Sequence, residues 1–164
     1  MHFIIGRAKQ KELGMANSMN IQIERVNLNN IKDINNIESS LKQRVLSYNI
    51  LSSTLNSENY YYFVAKINDK IIGYMAAELL VDHFDILAVA VLQEYRRQNI
   101  ATLLINKLIE ICLALNIQDI FLEVRCSNLP AIKFYEKVNF KKINIRKNYY
   151  TDTNEDAYIY KIVV

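Results

Sequence analysis

The run Ile86-Leu87-Ala88-Val89-Ala90-Val91-Leu92 constrains this chain more than any other stretch, because seven apolar residues follow one another without a break. A strand with one face in water alternates apolar and polar residues. A strand apolar at every position is covered on both faces. The run is also far short of the roughly 20 residues that a membrane span needs. The fold must therefore place a layer on either side of this strand.

The flanking segments say what those layers are. Residues 60–67 and 71–79 read as two strands joined by a tight turn at Asn68-Asp69-Lys70, and residues 83–91 form a third. Ile21, Ile23 and Val26 suggest an earlier strand. Leu28, Ile31, Ile34, Ile37, Leu41 and Val45 recur at intervals of three and four, the spacing of one helical face. A second short helix carries Ile50, Leu51 and Leu55. A longer one starts near Ile100 and buries Ile100, Leu104, Leu108, Ile111 and Leu115. Residues 117–124 form a strand and 128–138 a helix, with Pro130 in the first turn, where its missing N–H costs nothing. Strands over 140–147 and 157–164 follow. The order predicts an α/β (α+β) fold, with one mixed sheet of about six to seven strands and helices on both faces.

A length of 164 residues suits one domain. Residues 1–18 show no periodicity and are read as an N-terminal extension outside the fold, leaving 19–164 as the domain. A net charge of +3, from 20 basic against 17 acidic residues, is too small and too scattered to indicate nucleic acid. Two cysteines, Cys112 and Cys126, make neither a disulfide framework nor a four-ligand metal site, and no signal-peptide pattern is present. No metal and no membrane partner are expected, and a reducing, cytoplasmic setting fits best. Only three glycines and one proline are present, so most turns must be made by other residues.

The junction between residues 89 and 102 is where chemistry could sit. A buried strand ends, Arg96 and Arg97 follow, and a helix begins at once. The first N–H groups of that helix lack intrahelical partners, and the positive end of its dipole lies behind them. Such a terminus suits a phosphate or diphosphate. The plainer reading is a strand–helix loop with two solvated arginines, and no glycine-rich loop argues against it.

Arg96-Arg97-Gln98-Asn99-Ile100-Ala101 resembles the Q/R-x-x-G-x-G/A loop of the GNAT acetyltransferases. Leu122-Glu123-Val124-Arg125-Cys126-Ser127-Asn128, Ala131-Ile132 and Tyr135-Glu136-Lys137 resemble the second hallmark of that family. Arg146-Lys147-Asn148-Tyr149-Tyr150 with Glu155-Asp156-Ala157 is similar to the tail of its RimI-type branch. The resemblance covers roughly residues 60 to 160, and the three motifs come in the family's order and spacing. The loop glycine of the family is Asn99 here. Asn116 and Asn139 show the same exchange after two helices, and Asn is the non-glycine residue that best tolerates a left-handed backbone. The branch's usual Pro-Trp segment between the first helices is missing, since the chain has no Trp.

The resemblance implies a GNAT fold splayed between its two central parallel strands, with acetyl-CoA as co-substrate. It implies acetylation of a protein N-terminus, typically the alanine of a small-subunit ribosomal protein. Val89, Ala90 and Val91 would pair with the pantetheine arm. Arg96, Arg97, Gln98, Asn99, Ile100, Ala101 and Thr102 would cradle the diphosphate, and Asn128 would contact the cofactor while capping its own helix. Glu123 matches the family's general base and Tyr135 the acid that protonates the departing thiolate. Tyr149 and Tyr150, in the loop between the last two strands, would wall the acceptor slot. His83 and Asp85 are left aside, because a lone His on a strand is more often structural. Without a His beside Cys126, direct transfer is expected rather than an acyl-enzyme. Acetylation of a small amine and a non-catalytic acyl-CoA-binding module are the competing functions.

Overall fold

The strands β1 (Gln22–Arg25), β2 (Tyr60–Ile67), β3 (Lys70–Leu79), β4 (His83–Val91), β5 (Asp119–Arg125), β6 (Lys141–Tyr150) and β7 (Glu155–Val163) form one sheet. Their order across it is β1-β2-β3-β4-β5-β7-β6 in a computed structural model that describes residues 20–41 and 46–164. The expected extension over residues 1–18, and Val45, lie outside the described residues. The pairing of β4 with β5 is parallel and every other pairing is antiparallel. The mixed seven-stranded sheet agrees with the architecture expected from the sequence.

The apolar run of β4 is covered on both faces, and a bulge decides which residue faces where. Ala76 pairs with Ala88 and Ala77 with Ile86, so Leu87 is an extra residue that shifts the facing of β4 by one. Phe84 and Ile86 belong to one buried cluster, and Ala88 and Ala90 to the other. The β2–β3 turn uses Asn68 and Asp69 at φ 46° and 64°, the left-handed pair that a two-residue hairpin turn needs.

Helices α1 (Ile31–Ser40) and α2 (Tyr48–Thr54) cover one face, burying Ile31, Ile34, Ile37 and Leu51. The first helix is shorter than its apolar spacing predicts. A 3-10 turn occupies Leu28–Asn30, and Leu41 is extended at ψ 147°. The Ser39 and Ser40 hydroxyls donate to the carbonyls of Asn35 and Ile37, competing with the ladder where the helix stops. Buried Glu38 accepts from the Tyr74 hydroxyl and from the Leu46 N–H at 3.2 Å, tying α1 to β3 and to the approach to α2.

Helices α3 (Ile100–Leu115) and α4 (Leu129–Lys137) cover the other face. The stripe of α3 runs through Ile100, Leu104, Ile105, Leu108 and Cys112. Leu115, expected inside, falls off that stripe and is 45% exposed. Leu104 and Leu108 are fully buried, and truncating either to Ala costs about 2–5 kcal/mol. The last strands differ from expectation at their join. Strand β6 runs on to Tyr150, so Tyr149 and Tyr150 end a strand and are not loop residues.

Candidate active site

The two parallel strands part company inside the sheet. Their pairing runs from His83↔Asp119 to Ile86↔Leu122 and goes no further. Beyond it, β4 stays with β3 as far as Val91, while β5 stays with β7 to Arg125. The β5-facing backbone of Leu87–Val91 therefore has no strand partner among the described residues, and Val89, Ala90 and Val91 line the opening. Gly73 pairs with Val91, and a Cβ there would sit 2.8 Å from the Ala90 carbonyl oxygen. Only glycine lets β3 lie so close to this edge.

At the far end of β4 the chain turns into α3. Arg96 folds back, its Nε donating to the Val91 carbonyl at 3.1 Å, which fixes the turn to the strand. Arg97 and Asn99 are left-handed, at φ 64° and 60°. Alternation of this kind curls successive N–H groups toward one side, a concavity suited to anions. The N–H groups of Gln98, Asn99, Ile100, Ala101 and Thr102 have no acceptor among the described residues, and no side chain caps α3. Gln98 is turned inward, its Nε2 donating to the Glu94 carbonyl at 3.3 Å and its Oε1 buried without a partner. The Asn116 and Asn139 backbones share the conformation of Asn99, at φ 57° and 71°.

Glu123 is the first β5 residue past the parting. It lies on the opposite face of β5 from Leu122 and Val124, which pack in the α3–α4 core with Tyr135. Glu123 and Tyr135 therefore approach β5 from opposite faces and can meet the same atoms only through the gap. Tyr135 is 9% exposed and packs edge-on against Phe140 at 5.6 Å. Burial, with a smaller contribution from Tyr150, pushes its phenol well above the ordinary tyrosine range. Asn128 caps α4, its Oδ1 accepting from the Ala131 N–H at 3.3 Å.

Tyr150 links these groups. Its phenol, pushed up to about 12 mainly by burial, feels the charge of Glu123 and in turn influences Tyr135. It meets Tyr149 edge-on at 5.0 Å, and Tyr149 is 43% exposed at the mouth of the site. A bulge aims this pair: Arg146 pairs with Ala157 and Tyr150 with Glu155, leaving three residues opposite one, with Asn148 at φ 50°.

Three side chains to which the sequence assigns no role complete the arrangement. Arg146 donates from Nη1 to Glu123 Oε1 at 2.7 Å and lies 5.1 Å from the Tyr149 ring centre. Asp85 sits on the same face of the sheet, 3.6 Å from the His83 ring, and Arg146 acts on it electrostatically. Burial, reinforced by Glu78, raises the Asp85 carboxyl above its ordinary value. Arg125 stacks 3.8 Å from the Tyr150 ring centre. Arg125 and Arg146 both fall inside the motifs quoted above. Their contacts join strands far apart in sequence, and spacing alone does not show that. An open cavity lined by Arg25, Asn27, Leu55 and Glu58 lies at the β1 edge and shares no residue with this site.

The sequence signature of the acetyltransferase (GNAT) family matches residues 28–140. The chain belongs to that family. An N-alpha-acetyltransferase of Saccharolobus solfataricus is 40% identical to this GNAT protein over 111 residues, covering 60% of this chain and 66% of the relative. The chain thus spans just under two thirds of that protein's length. A second N-alpha-acetyltransferase, from Sulfolobus acidocaldarius, is 30% identical over 154 residues, 86% of this chain and 91% of the relative. The crystal structure of the ribosomal-protein-S18-alanine N-acetyltransferase from Escherichia coli aligns with a TM-score of 0.79 at 28% identity. That alignment covers 88% of this GNAT chain and 94% of the bacterial enzyme. The splayed parallel pair is thus found on a GNAT sheet, as the motifs imply. Among the described residues, no helix is long and apolar enough to cross a membrane.

Proposed function

We propose that this GNAT protein transfers the acetyl group of acetyl-CoA to the N-terminal α-amine of a protein, in the manner of the RimI-type branch. The proposed acceptor is an alanine-first ribosomal protein, which places the reaction in the cytoplasm. The observation that carries this reading is the parting of β4 from β5. It opens a slot with unsatisfied amides at one end and a carboxylate, an arginine and two tyrosines on the open face.

The residues present fit the co-substrate. Amides 98–102 and the Arg97 guanidinium suit a diphosphate, and the open edge of β4 at Val89, short of the Val91 carbonyl that Arg96 already holds, can accept an amide-bearing arm as an added strand. Acetyl-CoA supplies a thioester, an acyl group already activated toward amines. The protein's own residues handle the protons. An N-terminal amine has a pKa of about 7.7–8.0 and arrives mostly protonated. Glu123 takes that proton, directly or through water. Arg146 holds the carboxylate meanwhile, and the acceptor's ammonium replaces one cation with another at Glu123 Oε1. Tyr135, kept protonated by burial, gives a proton at the position of the leaving sulfur. Tyr149 and Tyr150 close over a small first residue.

The test is a panel of peptides beginning with Ala, Ser, Met or Leu, set beside spermidine and free amino acids. Each is incubated with acetyl-CoA and read by mass spectrometry. The expected result is a single acetyl group on the α-amine of the Ala-first peptide. Turnover of the small amines with no peptide product would overturn the acceptor assignment. Binding of acetyl-CoA without any turnover would leave only a binding module.

A further inference from the structure

The tyrosine pair stands on a hairpin end with little core of its own. Residues 151–154 are exposed and Asn154 is left-handed at φ 53°. One guanidinium gathers this turn. Arg125, the last residue of β5, has a side chain only 11% exposed. Its Nη2 donates to both Asp152 oxygens at 2.9 Å, and its Nη1 to the Thr153 hydroxyl at 2.7 Å and to Glu155 Oε2 at 3.3 Å. Its Cζ lies over the Tyr150 ring, 3.8 Å from the ring centre. The other Glu155 oxygen accepts the Ser127 N–H at 2.7 Å, one residue before the cap of α4. The hairpin turn, the end of β5 and the helix carrying Tyr135 thus meet at one side chain.

An isolated surface ion pair contributes little. This one is sheltered, and a single guanidinium meets several partners and the Tyr150 ring at once. A lysine could keep the charge near Asp152 but could not supply the planar fork or the stacking. Tyr150 is therefore gripped by Arg125, and Tyr149 by Arg146 at 5.1 Å.

We propose that Arg125 is a positioning residue for the acceptor: by clasping the β6–β7 turn and the Tyr150 ring, it sets the tyrosine pair over the slot and restricts the first acceptor residue to a small one. The inference rests on the N-terminal acetyltransferase reading of the site. It adds that acceptor selectivity is held from the end of β5, by a group that does not touch the reacting atoms.

The experiment compares Arg125→Lys and Arg125→Gln with wild type in three measurements. These are steady-state kinetics against Ala-first and Leu-first peptides, KM for acetyl-CoA, and hydrogen exchange of residues 148–155. Both variants are expected to fold and to keep KM for acetyl-CoA within roughly twofold, while KM for the Ala-first peptide rises about tenfold. The preference for Ala over Leu should shrink, and exchange in the turn should quicken. An equal rise in both KM values, or a fall in kcat at unchanged peptide KM and selectivity, would overturn the proposal. If wild type acetylates only small amines, the acceptor reading fails separately. Unchanged exchange at residues 148–155 in both variants then overturns the clasp as well.

Discussion

Asn99 offers a measurement in which strain and binding can be separated. Its backbone is left-handed, at φ 60° and ψ 12°, and it immediately precedes α3 among the free amides. An ordinary L-residue pays about 1–2 kcal/mol for that conformation, and Asn less because its short polar side chain tolerates it. In Asn99→Ala the cost has two outlets. If the turn holds, folding stability falls by about 1 kcal/mol, a drop of roughly 2–4 °C in Tm for a chain of this size. If the turn relaxes, the free amides no longer converge, and acetyl-CoA affinity falls with the population of the competent turn. A cost of 1–2 kcal/mol then becomes about 5- to 30-fold weaker binding. Asn116 provides the control, since it is left-handed at φ 57° at the opposite end of the same helix. Asn116→Ala should lower Tm by a similar amount and leave acetyl-CoA binding alone. Asn99→Gly should bind at least as well as wild type, because glycine takes this conformation without a Cβ clash. Calorimetric titration with acetyl-CoA and melting by circular dichroism read both quantities. If Asn99→Ala matched wild type in both, or if Asn116→Ala weakened binding equally, the argument from the turn would be wrong.

Four further outcomes follow from the site. Glu123→Gln should lower kcat by about 10²–10⁴ with acetyl-CoA affinity nearly intact, whereas Tyr135→Phe should lower kcat with little change in Tm, since no described residue bonds its hydroxyl; stopped turnover with lost coenzyme binding in either would refute the assigned roles. Gly73→Ala should weaken acetyl-CoA binding by pressing on the Ala90 carbonyl, which faces β3, and so shifting the Val89 and Val91 backbone on the open side of β4; titration calorimetry showing wild-type affinity would count against that edge as a binding surface. Arg125 holds the Asp152 carboxyl below the ordinary range, Ser127 and then Arg125 do so for Glu155, and Lys147 for Asp156. Groups depressed in the folded state contribute stability above their unfolded values, about 4, and that stability is lost as pH falls through the lower folded values. Protection of residues 148–156 against exchange, relative to the intrinsic rate at each pH, should therefore fall below about pH 4, and Arg125→Gln should flatten that dependence.

Much of this was legible in the residues because the relevant signals are local. Strands β2 and β4 fall where alternation and the apolar run put them, and the left-handed asparagines sit where a glycine-poor chain would need them. The first helix was overestimated, because its apolar spacing continues past two serines whose hydroxyls compete for backbone carbonyls. The site was half legible. Glu123 and Tyr135 lie in recognisable motifs, but the approach of Arg146 to Glu123 depends on β7 lying between β5 and β6. Asp85, set aside with His83, gets no role from the sequence because nothing local shows that β4 and β5 separate just beyond it. The Leu87 bulge was equally hidden, since an all-apolar strand carries no alternation to reveal a change of face.

The outermost strand has a further consequence. β6 is ten residues long and exposed along nearly its whole length, with one side of its backbone unpaired. A free border of that kind can recruit another chain into a growing stack. Here Lys141 and Lys142 set like charges against any copy that tried to zip on, and the kink at Asn148 breaks the straight template such zipping would need. The bend that aims Tyr149 and Tyr150 also helps keep the molecule dispersed, so straightening it would risk aggregation along with activity.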